Sequence, residues 1–70
     1  MSGFLRAEAL FLSALQPSDH PDFEQIEAAI RDVICLHGGD DGCAADFAAE
    51  YGDHPDLAYK RMRWALASAA

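Results

Sequence analysis

Between Gly3 and Leu15 only Arg6, Glu8 and Ser13 are clearly polar, set among phenylalanines, leucines and alanines. Phe4, Phe11 and Leu15 recur at a spacing that stacks side chains on one side of a helix, and Leu5 and Leu12 stand beside them. A helix this apolar has little surface to give to water, so other segments or a partner must enclose it. Leu10 falls off the main face, and an apolar patch left there would mark an association surface.

The cover has to come from the rest of a 70-residue chain, which is cut by turn signals at "QPSDHPD", "HGGDDG" and "YGDHPD". A second helix, from about Asp22 to His37, carries Phe23, Ile26, Ile30, Val33, Ile34 and His37 as one stripe, with Glu24, Glu27, Arg31 and Asp32 projecting away. Gly38 and Gly39 end it, and Asp40 or Asp41 can cap the next helix. In that third segment, "GCAADFAAEYG", Phe47 and Tyr51 stand on a background of Ala44, Ala45, Ala48 and Ala49, small enough to let helices approach closely. A fourth helix runs from about His54 to the C-terminus. These periods predict an all-α fold, a compact bundle of four short helices over the single domain 1–70. Its expected centre is Phe4, Phe11, Ile26, Ile30, Val33, Ile34, Phe47, Tyr51, Met62 and Leu66.

"DHPD" occurs twice, at 19–22 and 53–56. Capping chemistry accounts for it: Asp19 or Asp53 can accept from free first-turn amides, Asp22 or Asp56 completes a near capping box, and proline in the first turn lacks an amide that would have gone unused. Both aspartates also favour the positive end of the helix dipole. The copies lie 34 residues apart, the period of tetratricopeptide helix pairs. Phe47 and Cys43 fit that register, but Glu27 and Arg31 stand where a tryptophan and a glycine are expected, and there is no room for the usual three repeats. "HPD" is also the signature of J-domains, yet "FLSALQPSD" and "DFAAEYGD" lack the basic context that such a loop follows.

Twelve acidic residues against five basic ones give a formal charge of −7, which repels phosphate backbones and anionic membranes and makes a basic partner surface more natural. No apolar run approaches the roughly 18 residues of a membrane span. Glu8 interrupts the first apolar stretch, and without a secretory signal the expected compartment is the cytoplasm. Two cysteines, Cys35 and Cys43, are too few for a disulfide scaffold and are expected to be free thiols.

Chemistry-bearing patterns are weak. Cys35, His37 and Cys43 with His20 or His54 are possible zinc ligands, but there is no CxxC or HxxxH pair, and the simpler reading has Cys43 packing and His37 finishing the stripe of the second helix. "GGDDG" lacks the alternating oxygens of a calcium loop. No activated nucleophile or phosphate-binding glycine loop is present, so no catalytic, cofactor or metal residue is assigned and no enzyme activity is expected.

The fourth helix carries the most functional information. Ala58, Tyr59, Met62, Ala65, Leu66 and Ala69 form an apolar arc that continues to Leu57 and Trp64, wider than one core contact requires. Lys60, Arg61 and Arg63 crowd beside Tyr59 and Trp64, residue types enriched at interface hot spots. Leu57, Lys60, Arg61, Arg63 and Trp64 are therefore the candidate partner-binding residues of a non-enzymatic interaction or regulatory module, the partner being another protein or a second copy in a homodimer. The competing reading places Trp64 in the core and pairs the arginines with neighbouring carboxylates. The runner-up function is DNA binding by a helix-turn-helix built from the last two helices, with Ala48 four before Gly52. Against it stand Asp53 at a usually apolar position and the acidic balance.

The segment "EYGDHPDLAYKRMRWALA" resembles the tails of small uncharacterised helical proteins from actinobacteria, which share an "HP(D/E)…A…RMRWA" pattern. The resemblance covers the last quarter of the chain, implies a cytoplasmic bacterial protein and transfers no site residue.

Overall fold

The computed structural model describes residues 3–69, and they form four α-helices with one 3-10 turn between the first two. Helix α1 spans Gly3–Leu12, α2 Phe23–Leu36, α3 Asp40–Asp53 and α4 Pro55–Ser68, the four helices that the hydrophobic periods predict, with the first ending three residues short of the expected Leu15. No strand occurs among these residues, and no helix is long and apolar enough to cross a membrane.

The apolar first helix forms the centre of the bundle. α1 packs against all three other helices, which touch one another much less, and α2 and α4 make little direct contact. Ala7, Ala9 and Leu10 are at most 1% exposed, with Leu5 and Phe11 close behind. Burying a large side chain of this kind contributes roughly 1.5–3 kcal/mol each. Ile26, Ile30 and Val33 close one side, Cys43 and the edge of Phe47 a second, and Ala58, Met62, Ala65 and Ala69 a third. Phe47 meets Phe11 edge to face with centroids 5.0 Å apart, a preferred aromatic geometry.

This packing revises the expected centre. Leu10 is completely buried rather than left as an association patch, whereas Phe4, Tyr51 and Leu66 are exposed. Cover arrives on all sides of α1, so Ala7 and Ala9 are buried as deeply as Leu10, while Phe4 near its start stays outside. Ile34 and Phe47 lie at the core's margin. His37 does not finish the stripe of α2: its Nδ1 pairs with a carboxylate oxygen of Asp46 and ties the end of α2 to α3.

The two DHPD copies are also used differently. Asp22, not Asp19, caps α2 by accepting from the amide of Gln25 at 2.8 Å, and Gln25 returns the bond to the amide of Asp22 at 2.9 Å. Asp19 ends the Pro17–Asp19 turn, accepting from the amide of Gln16, and His20 follows with φ +48°. At the second copy Asp53 still belongs to α3, and no side chain caps α4. Pro55 opens α4 as expected, and Asp56 faces the dipole from its first turn. Gly52 does not end α3, which runs one residue further.

At the α2–α3 corner Gly38 and Gly39 take φ +79° and +93° and return bonds to Cys35 and Ile34, ending α2 as predicted. Gly42 is required for a different reason: a Cβ there would stand 1.4 Å from the carbonyl oxygen of His37. Backbone must move to admit any side chain. Gly42→Ala is expected to destabilise the fold by at least about 2 kcal/mol, read as a lower midpoint in urea unfolding, whereas Gly52→Ala, which meets open space, should not destabilise it.

Glu8, half-buried on α1, has its pKa raised by burial and then by the charge of Asp40. A carboxyl that binds its proton more tightly folded than unfolded costs stability above its folded value and nothing below its unfolded value. Glu8→Gln should therefore raise the Tm at pH 7 and leave it unchanged at pH 3; an equal gain at both pH values would exclude the charge as the cause.

Candidate functional site

Positions 58, 62 and 65 of α4 and its C-cap Ala69 face inward, and three of these four residues are alanines. Small inner residues let α4 lie close against α1, and its larger side chains are left to the flanks. Leu57, Arg61, Trp64 and Ser68 follow one another at helical spacing on one flank; Tyr59 and Leu66 occupy the opposite flank, with Lys60 and Arg63 on the strip between. Leu57 is 69% exposed, Tyr59 54% and Leu66 44%.

The five residues singled out from the sequence therefore separate. Leu57, Lys60 and Arg63 are exposed, and the Arg63 guanidinium lies 6.0 Å from the centre of the Tyr59 ring. Trp64 is half-buried against the core. Arg61 is turned inward. Its Nε donates to the carbonyl of Phe11 at 2.7 Å, and its Nη2 donates to those of Ser13 at 2.9 Å and Leu15 at 2.8 Å, with a longer contact to Leu10 at 3.4 Å.

Arg61 thus caps the carboxyl end of α1, where the last carbonyls have no helical partners. The expected helix to Leu15 stops at Leu12, and Arg61 bonds carbonyls in its last turn and in the segment just after it. Ser13 assists: its hydroxyl donates to Leu10 at 2.6 Å and accepts from the amide of Leu15 at 3.3 Å. The guanidinium also lies 5.0 Å from the Trp64 ring and 5.9 Å from Phe11, which shelter it. Burial lowers its pKa, yet a guanidinium stays charged, and no carboxylate forms an ion pair with it among the described residues. Neither competing sequence reading foresaw this arrangement, because the acceptors are main-chain carbonyls, which leave no mark on side-chain patterns.

Arg6 makes the reciprocal tie. It forks onto Glu27 of α2 at 2.7 and 3.0 Å and donates through Nε to the carbonyl of Ala69 at 3.2 Å, so it joins α2 to the end of α4 across α1. This pairing holds the Glu27 carboxyl below its usual range. Both side chains of the pair remain about 30% exposed, so solvent screening weakens the bridge.

A groove of about 350 Å³ opens where the end of α1 meets the α3–α4 corner. Phe11, Leu12, Leu57 and Ala58 supply apolar wall, and Glu50, His54 and Arg61 supply polar edge. It lies at the small end of the roughly 300–1,000 Å³ typical of ligand clefts.

The zinc candidates stay apart. No group of three or more His, Cys, Asp or Glu side chains is placed to hold a metal among the described residues. Cys43 is fully buried, with its thiol pKa raised first by that burial and then by Glu8, Asp40 and Asp46. Cys35 is exposed, and both are free thiols. Comparison with protein-family models, with curated proteins and with solved structures returned no match.

Arg61→Met should lower stability by about 2–3 kcal/mol, since it abandons several charge-assisted bonds and leaves carbonyls of α1 unsatisfied. Arg61→Lys should recover only part of that, because an ammonium cannot span the same acceptors. Unfolding midpoints in urea measure both; an unchanged midpoint for Arg61→Met would show that the cap carries no stability.

Proposed function

We propose that this domain is a cytoplasmic, non-enzymatic interaction module that engages another protein, or a second copy of itself, through α4. One observation carries the reading: α4 turns small residues inward and leaves Leu57 outside on one flank and Tyr59 and Leu66 on the other, with Lys60 and Arg63 between them. Large apolar and aromatic side chains with neighbouring cations are what interface hot spots use, and the fold does not consume them here. Arg61 and Trp64 support that surface from beneath, the first by fixing the end of α1 and the second by packing against the first.

Duplex binding has less support. α3 and α4 are joined through His54 alone, shorter than the three- or four-residue turn of a helix-turn-helix. With Arg61 committed to α1, Lys60 and Arg63 are the cations α4 has left for phosphates, in a chain of net charge −7.

A photoreactive amino acid placed singly at 57, 59 or 36 tests the reading in cells. Leu36 is the control, because it is 82% exposed but lies on α2. Positions 57 or 59 should crosslink one discrete species, identified by mass spectrometry as this chain or another, and position 36 should not. Equal labelling from all three positions, or none from α4, would overturn the assignment.

A further inference from the structure

The groove at the end of α1 has an electrostatic character that its lining residues alone do not reveal. Phe11 and Leu12 are the last turn of α1, and Glu50 belongs to the last turn of α3, so two helix carboxyl ends converge on it. Each end carries negative partial charge, and neither helix has a basic residue in its last turn. Arg61 answers the end of α1, leaving α3 unanswered. Glu50 lines the groove, and Asp53 and Asp56 are exposed nearby in the chain without lining it. The positive end of α4 also points here, but Asp56 already stands in its first turn.

Of the two charged residues that line the groove, Arg61 is engaged with main-chain carbonyls and Glu50 is exposed, so an apolar wall beside that carboxylate suits an apolar side chain flanked by a cation. Resting on the reading of α4 as the interaction surface, we propose that this groove docks a basic amphipathic segment of a different protein, one apolar residue entering between Phe11, Leu12 and Leu57 while a neighbouring Lys or Arg meets Glu50. The volume admits one or two large side chains and not a whole helix face. A second copy fits less well. Two chains of charge −7 repel, and the free Lys60–Arg63 strip lies on a different side of α4 from the groove, so a copy offering that strip would add head to tail without closing.

The test uses fluorescein-labelled helical peptides built from Leu and Lys, or from Leu and Glu, titrated with the intact chain and read by anisotropy. Trp64, the single tryptophan, packs under Arg61 and supplies a second, intrinsic signal. The Leu/Lys peptide should bind and perturb Trp64, and the Leu/Glu peptide should not. Leu57→Ser and Glu50→Lys should each weaken binding by roughly tenfold or more, both positions being exposed and tolerant of change. Asp32→Lys, the same charge change on α2, should have little effect, as should Tyr59→Ser with Leu66→Ser. An equal loss from Asp32→Lys would reduce the effect to net charge and overturn the proposal. Loss through the Tyr59 and Leu66 variant alone would keep α4 as the surface but move the partner off the groove. Failure of both peptides to bind, or a dimer in sedimentation equilibrium that Leu57→Ser dissociates, would also overturn it, the latter by making a second copy the occupant.

Discussion

A helix that is apolar nearly all the way round is stable only where other segments take its surface from water, and α1 imposes that requirement on the whole chain. Every other helix packs on it more than on its neighbours, so the bundle is organised around one central rod. Ala7 and Ala9 let two of those neighbours come close, while Leu10 and Phe11 fill the remaining space. Enclosure creates its own difficulty, because the last carbonyls of a buried helix cannot turn to solvent. From α4, Arg61 answers the carbonyl of Phe11 and those of Ser13 and Leu15 just beyond α1, and Arg6 does the corresponding work for the end of α4 from α1. The two helices are thereby held by side chains placed at each other's ends.

These ties divide the charges into two groups. Arg6 and Arg61 are drawn into the bundle, which leaves Lys60 and Arg63 on α4 and Arg31 on α2 against a surface dominated by carboxylates. α3 concentrates that acidity: its fourteen residues include Asp40, Asp41, Asp46, Glu50 and Asp53 and no cation. It contributes little to the core beyond Cys43 and the margin of Phe47, so its outer surface is free to set the local field. The groove and the acidic corner beside it therefore share one origin in the way α3 and α4 meet the end of α1.

Amphipathic period was informative where a helix has one partner face. α2 is the clear case: Ile26, Ile30 and Val33 were identifiable as core from spacing alone, and Gly38 and Gly39 marked its end. The same reasoning misplaced Phe4, Tyr51 and Leu66, because it ranks residues by size while close helix approach selects alanines. Reading the repeated DHPD as one device also failed. An aspartate can cap only where its amides are free, and at the second copy α3 continues through Asp53.

The candidate surface was half legible. That α4 carries more apolar side chain than one contact consumes follows from its wheel, and Leu57, Lys60 and Arg63 are indeed outside. That Arg61 belongs to the structure could not be read, since nothing in a sequence says which main-chain carbonyls will lack partners. By itself the sequence determined the helices, their approximate ends and the need to enclose the first, because periodicity, glycine conformation and burial of apolar surface act locally along the chain. Only the tertiary structure decided which residues of α1 lie deepest, which arginines are spent inside and where the groove opens, because those depend on how the other helices pack round α1 and on which helix ends meet.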